Sequence, residues 1–187
     1  MAHLLTSRRP LALGQQKDAG FSLAETVVIL VMVGILAAIG GVSWLGFLNN
    51  QRMRVAVNES VSAIRLAQGG ARRENLRWVA AFRESNGQVQ WAVSRTTTPV
   101  AQWDWQNLLG DDSNLIEIDL ANTSFNAVAD TYQVAFEYDG RMSIINTPPR
   151  RITFRPVNNA SADAQRCIRM VTMLGALRTE TGTACDS

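Results

Sequence analysis

Gly20-Phe21-Ser22-Leu23-Ala24-Glu25 opens the stretch around which this sequence is organised. Residues 26–48 (TVVILVMVGILAAIGGVSWLGFL) follow it, 23 residues without one ionisable side chain. At about 1.5 Å per residue, a helix of that length runs about 34 Å, enough to cross a hydrocarbon core of about 30 Å. One acid, Glu25, stands at its leading edge. Residues 1–20 read as a leader and residues 49–187 as a separate soluble body, so the expected divisions are 1–20, 21–48 and 49–187.

Composition narrows the function classes. The 187 residues carry 18 Lys+Arg and 16 Asp+Glu, so the net charge of +2 points to no partner. Residues 49–187 are long enough for one domain with its own core. The only histidine, His3, lies in the leader, and neither CxxC nor a Cys/His cluster occurs. No zinc site, no histidine-dependent triad and no phosphate-cradling glycine loop is expected; the chain is read as no enzyme, with no cofactor and no metal. Cys167 and Cys185 can pair if the domain is exported, and remain free thiols in a reducing compartment. A bond between them would close a loop of 17 intervening residues, for which chain entropy gives about 3 kcal/mol.

The leader is basic, with Arg8, Arg9 and Lys17 against Asp18, and holds no apolar core. A secretory signal places its apolar stretch before the cleavage site; here the polar segment comes first. Positive charge before the span favours a cytoplasmic N-terminus, although Arg52 and Arg54 follow the span closely.

Taken with these flanks, Gly20 to Glu25 resembles the processing site of type IV prepilins and type II secretion pseudopilins. The resemblance implies that a prepilin peptidase cuts between Gly20 and Phe21 and that Phe21 is N-methylated, leaving a mature chain of 167 residues. It implies for Glu25 a pairing with the N-terminal amine of a neighbouring subunit during assembly. Read from the residues alone, Glu25 can equally reach into lipid headgroups. The partners implied are other pilins or pseudopilins, the prepilin peptidase and an inner-membrane assembly platform. The location implied is a single span in the bacterial inner membrane with a periplasmic head, then a filament.

Beyond Leu48 the helical pattern becomes amphipathic: Met53, Val57, Val61, Ile64, Ala67 and Ala71 recur at steps of three and four. One long helix is expected to end around residues 70–75, where Gly69-Gly70 weakens it. Strands are expected at Arg77–Glu84 and Gln88–Ser94 around an Asn86-Gly87 hairpin turn, then at Leu115–Leu120, Tyr132–Tyr138, Met142–Asn146 and Arg151–Arg155. Residues 95–114 read as an irregular polar loop whose Trp103 and Trp105 are either exposed recognition groups or plugs on the sheet. Gln165–Met173 and a segment after Gly175 close the domain. The fold class is therefore α+β: a long N-terminal helix, transmembrane first and amphipathic second, on an antiparallel β-sheet head. The strand order, with Phe136 to Gly140 and Cys167 to Gly175, is similar to the GspH/FimT-type minor pseudopilins.

Charge is blocked along the head. Seven acids and no base lie between Asp111 and Asp139, and seven arginines against Asp163 alone between Arg141 and Arg178. Three readings stand: strand faces that pair within the domain, a surface for a filament neighbour, or a nucleic-acid contact through Arg150, Arg151, Arg155 and Arg178. Some FimT-type proteins bind DNA through a C-terminal Gly-Arg-x-Arg element; this chain has Gly175-Ala176-Leu177-Arg178, without the first arginine. The function expected is a minor pilin or pseudopilin that primes or joins filament assembly. The alternatives are a DNA-binding minor pilin in natural transformation, and a membrane-anchored sheet domain with an uncleaved anchor.

Overall fold

The computed structural model describes residues 20, 22–128, 130–143, 150–158 and 161–186. Phe21, the leader before Gly20, the end of the strand expected to reach Asn146, and the break expected at Thr147-Pro148-Pro149 lie outside them. The chain divides into two units, Met1–Ser43 and Trp44–Ser187, and one helix, α1 (Leu23–Glu74), contributes to both.

In the first unit, the apolar side chains of α1 are exposed, Leu23, Val27, Leu30, Val33 and Leu36 among them. Bare apolar area of this extent is unfavourable in water and suits lipid or a protein partner. Among the described residues this is the one helix long and apolar enough to cross a membrane, by length and composition.

In the second unit α1 acquires two faces. Met53, Ala56, Val57, Ser60, Ala63, Ile64, Ala67 and Ala71 are buried, while Arg54, Arg65 and Arg72 are exposed. Alanine and serine dominate this buried stripe, so the helix axis approaches the sheet closely. Ser60 satisfies its buried hydroxyl by donating to the Ala56 carbonyl at 2.8 Å. The helix runs through Gly69-Gly70 to Glu74, and Asn75 takes a left-handed φ of 56° just beyond its end.

Among the described residues, nine strands form two antiparallel sheets rather than one. The first contains β1 (Trp78–Ser85), β2 (Gln88–Arg95), β3 (Gln106–Asn107), β5 (Asn126–Val128) and β6 (Thr131–Phe136), in the order β3-β2-β1-β6-β5. The second contains β4 (Ile116–Ile118), β7 (Arg150–Pro156), β8 (Arg166–Met170) and β9 (Leu177–Thr181), in the order β4-β7-β8-β9. The β1–β2 hairpin turns on Asn86 and Gly87, both at positive φ, as a two-residue primed turn requires. Ala80 faces Val93 and Phe82 faces Trp91, so the alternation read from the sequence is the inner face of the sheet in register. These residues pack on α1 together with Val134, Phe136, Ile152, Phe154, Ile168 and Met170. The Glu84 carboxylate accepts the Ile118 amide and joins the two sheets.

Three expectations change. Residues 95–114 hold ordered 3-10 turns at Val100–Gln102 and Gly110–Leu115 as well as β3. Their anchor is Trp103, buried against Val79, Ala81 and Ala92 on the outer face of the first sheet, with its indole N–H on the Thr98 carbonyl at 2.9 Å. Strand β5 was not expected. It is three residues long, too short to show an alternating pattern, and pairs with β6. Met142 forms only an isolated bridge to Phe136 within the described part of the strand expected there.

Candidate functional site

The start of α1 is built by local chemistry. Ser22 is the residue before the first helical turn, and its hydroxyl accepts the Glu25 amide at 3.2 Å. This satisfies one of the amide groups left unpaired at a helix start. Ser22-Leu23-Ala24-Glu25 is the S-x-x-E pattern of a capping box, a signal present in the sequence and missed there. Glu25, exposed in the first turn, places its negative charge at the positive end of the helix dipole. Thr26 donates its hydroxyl back to the Ser22 and Leu23 carbonyls at 3.1 and 3.0 Å. Gly20 is exposed, with nothing within 4 Å of the point where a Cβ would stand. Phe21, the other half of the expected cleavage site, is outside the described residues.

The arginine block lies mostly on the outer face of the second sheet. Arg151 pairs in register with Arg169, and Arg169 with Arg178, so three cations cross three adjacent strands. Like charges directly opposite destabilise a sheet unless they are neutralised. Here each finds a partner. Glu180 lies 3.2 Å from Arg169 and 3.3 Å from Arg178. Arg151 donates to the Asn122 carbonyl at 2.7 Å and Arg150 to the Ser124 carbonyl at 2.6 Å. Arg155 pairs with Glu117 across the β4–β7 ladder, which holds its guanidinium above the ordinary value. Acids from the first block and arginines from the second thus meet inside the head. Glu180, the acid shared by Arg169 and Arg178, had not been singled out. Its signal is the i, i+2 spacing of Arg178 and Glu180 on one strand face.

The C-terminus is tied over the same face. Cys167 and Cys185 are joined by a disulfide, with Cα atoms 5.7 Å apart. Arg169 donates to the Ala184 carbonyl at 3.0 Å, and Asp186 accepts from Asn122 at 3.1 Å. The segment after β9 is thereby locked onto β8 and onto the 119–125 loop.

A cleft of about 250 Å³ lies on the other side of β8, lined by Arg54, Val57, Asn58, Arg166, Thr179, Glu180 and Thr181. Burial first, and the like charge of Arg54 second, push the Arg166 guanidinium below its ordinary value.

No family model matches the chain, and no curated protein matches it either. Among solved structures it is similar to the type IV minor pilin FimU of Pseudomonas aeruginosa, with 15% identity over 72% of this chain and 92% of that one, at a TM-score of 0.46. It is similar to the minor pseudopilin EpsH from the type 2 secretion system of Vibrio cholerae, with 11% identity over 70% and 97%, at a TM-score of 0.47. It is similar to GspH of E. coli, with 14% identity over 71% and 90%, at a TM-score of 0.44. All three likenesses fall below a TM-score of 0.5.

Proposed function

We propose that the chain is a minor pilin or pseudopilin, a structural subunit rather than an enzyme, that primes or joins a type IV pilus or a type II secretion pseudopilus. The observation that carries the reading is the division of α1. One continuous helix has an exposed apolar half that begins at a capped Ser22–Glu25 turn and a second half whose small-residue stripe is buried in the head. A helix of this kind can lie first in lipid and then among the helices of a filament, because both environments accept bare apolar side chains. On this reading a prepilin peptidase releases residues 1–20 between Gly20 and Phe21, and Phe21 is N-methylated. Residues 21–48 hold the subunit in the bacterial inner membrane, with the head, residues 49–187, in the periplasm.

Glu25 is the assembly device. A carboxylate in lipid is unfavourable by several kcal/mol unless it is paired. The new amine of a neighbouring Phe21 would pair with it inside a filament and set the axial stagger. Glu25→Ala should therefore leave membrane insertion intact and remove the subunit from sheared filaments. Unchanged incorporation would show that the carboxylate is not a register device.

The four arginines named for the DNA-receptor alternative all have partners within the head, which favours the structural-subunit reading. Arg150, Arg151 and Arg155 are engaged by Ser124, Asn122 and Glu117 within the head, and Arg178 shares Glu180 with Arg169.

A further inference from the structure

Arg54 and Arg166 differ from the arginines of the outer sheet face. They come from α1 and β8, separate elements of the second unit, and line one cleft. Among the described residues, neither guanidinium has a carboxylate partner. Glu180 also borders the cleft, but its two oxygens are held by Arg169 and Arg178 on the opposite face of the sheet. Asn58, one helical turn after Arg54, is exposed on the same side of α1, and Thr179 and Thr181 are exposed along the β9 edge. Two unneutralised cations are thus held together beside amide and hydroxyl donors. An anion with several oxygens is the ligand such a donor set fits.

Position along the helix says which anion. Trp44 and Phe47 are exposed, with ring centroids 5.9 Å apart, at the end of the apolar run. Exposed aromatic rings at the end of a span mark the membrane–water interface. Arg54 follows Leu48 by six residues, about 9 Å further along the helix. The polar layer of a bilayer leaflet is roughly 5–7 Å thick beyond the hydrocarbon. A long arginine side chain at that height reaches back into the headgroup layer.

We propose that Arg54 and Arg166, with Asn58, Thr179 and Thr181, form a pocket for a phosphate-class oxyanion. Its occupant is the headgroup of an anionic phospholipid while the subunit is held in the membrane. The proposal rests on the membrane-anchored reading above. Entry into a filament draws the pocket away from the leaflet, so lipid occupancy opposes extraction and favours the membrane pool.

The full-length chain in neutral detergent micelles, titrated with phosphatidylglycerol or phosphatidylcholine and followed by native mass spectrometry, tests this. The wild type should bind phosphatidylglycerol about tenfold or more tightly than phosphatidylcholine, and Arg54→Gln with Arg166→Gln should abolish the preference. Arg54→Gln alone alters an exposed helix position and should lose most of it with the head folded, as an unchanged denaturation midpoint reports. Arg166→Lys should keep part. Equal lipid binding by wild type and variants overturns the pocket. Inorganic phosphate that binds lipid-free micelles as tightly as the lipid does overturns the headgroup assignment in favour of a free anion. A lipid-independent dimer dissolved by Arg54→Gln overturns it in favour of a second copy's carboxylate. Carbonate-resistant association with cell membranes reads the anchor separately, so the anchor and the pocket can fail independently.

Discussion

Glu59 of α1 accepts the indole N–H of Trp91 at 2.8 Å, and its other carboxylate oxygen accepts the Leu109 amide at 3.1 Å. One side chain thus fastens the helix to β2 and to the turn before Gly110–Leu115. Hydrogen bonds to a charged group contribute about 1.5–3 kcal/mol each, and losing the acceptor leaves a half-buried indole N–H unpaired. Glu59→Ala should destabilise the full chain in detergent by about 2–4 kcal/mol in chemical denaturation. Trp91→Phe should produce a smaller loss, and the double variant should show coupling between the two positions. Additive losses would mean that the contact contributes nothing.

Gly70 should resist a substitution that ordinarily strengthens helices. Alanine in place of an interior glycine is worth about 1 kcal/mol in its favour. Here a Cβ at Gly70 would come within 2.8 Å of the Trp78 ring. Gly70→Ala should therefore lower the melting temperature, and Trp78→Ala should convert the same change into a neutral or favourable one. A Gly70→Ala protein that melts higher than wild type contradicts the close approach of α1 and β1.

Acid should weaken the Asp139-Gly140 turn. The Arg141 amide, donating to the Asp139 carboxylate at 3.0 Å, is the main cause holding that carboxyl below its ordinary value. A depressed folded value gives stability that is present above the unfolded value, about 4, and lost as pH falls through the folded one. The melting difference between wild type and Asp139→Asn should be full near pH 6 and close below about pH 4. A difference that widens in acid would reverse the sign.

Reduction should release the C-terminus. Cys167–Cys185 closes the loop that carries β9. Replacing both cysteines with serine should cost about 2–4 kcal/mol and make the 182–186 segment susceptible to protease while β1 and β2 stay protected. Uniform protection in the double variant would show that Arg169 and Asp186 hold the segment unaided.

Much of the architecture was legible because its signals are local. The apolar run, the Asn86-Gly87 turn and the period-two pattern of Trp78, Ala80 and Phe82 each state their structure within a few residues. The division into two sheets was not legible, since it depends on which strand edges pair at long range. Strand β5 is too short for a pattern, and Trp103 left open whether it plugged the sheet. The arginine block was visible as composition, but the Asn122 and Ser124 carbonyls and the Glu117 carboxylate that engage it are brought there by loop placement and strand pairing. The cleft at Arg54 and Arg166 joins residues 112 positions apart, and only the fold brings them together.

The mature N-terminus tests the central claim most directly. Intact-mass and terminal-peptide mass spectrometry of the protein from its native membrane should find a chain beginning at Phe21, with a methyl group on its amine. A chain that begins at Met1 or Ala2 would contradict the prepilin reading and leave an uncleaved anchor in its place.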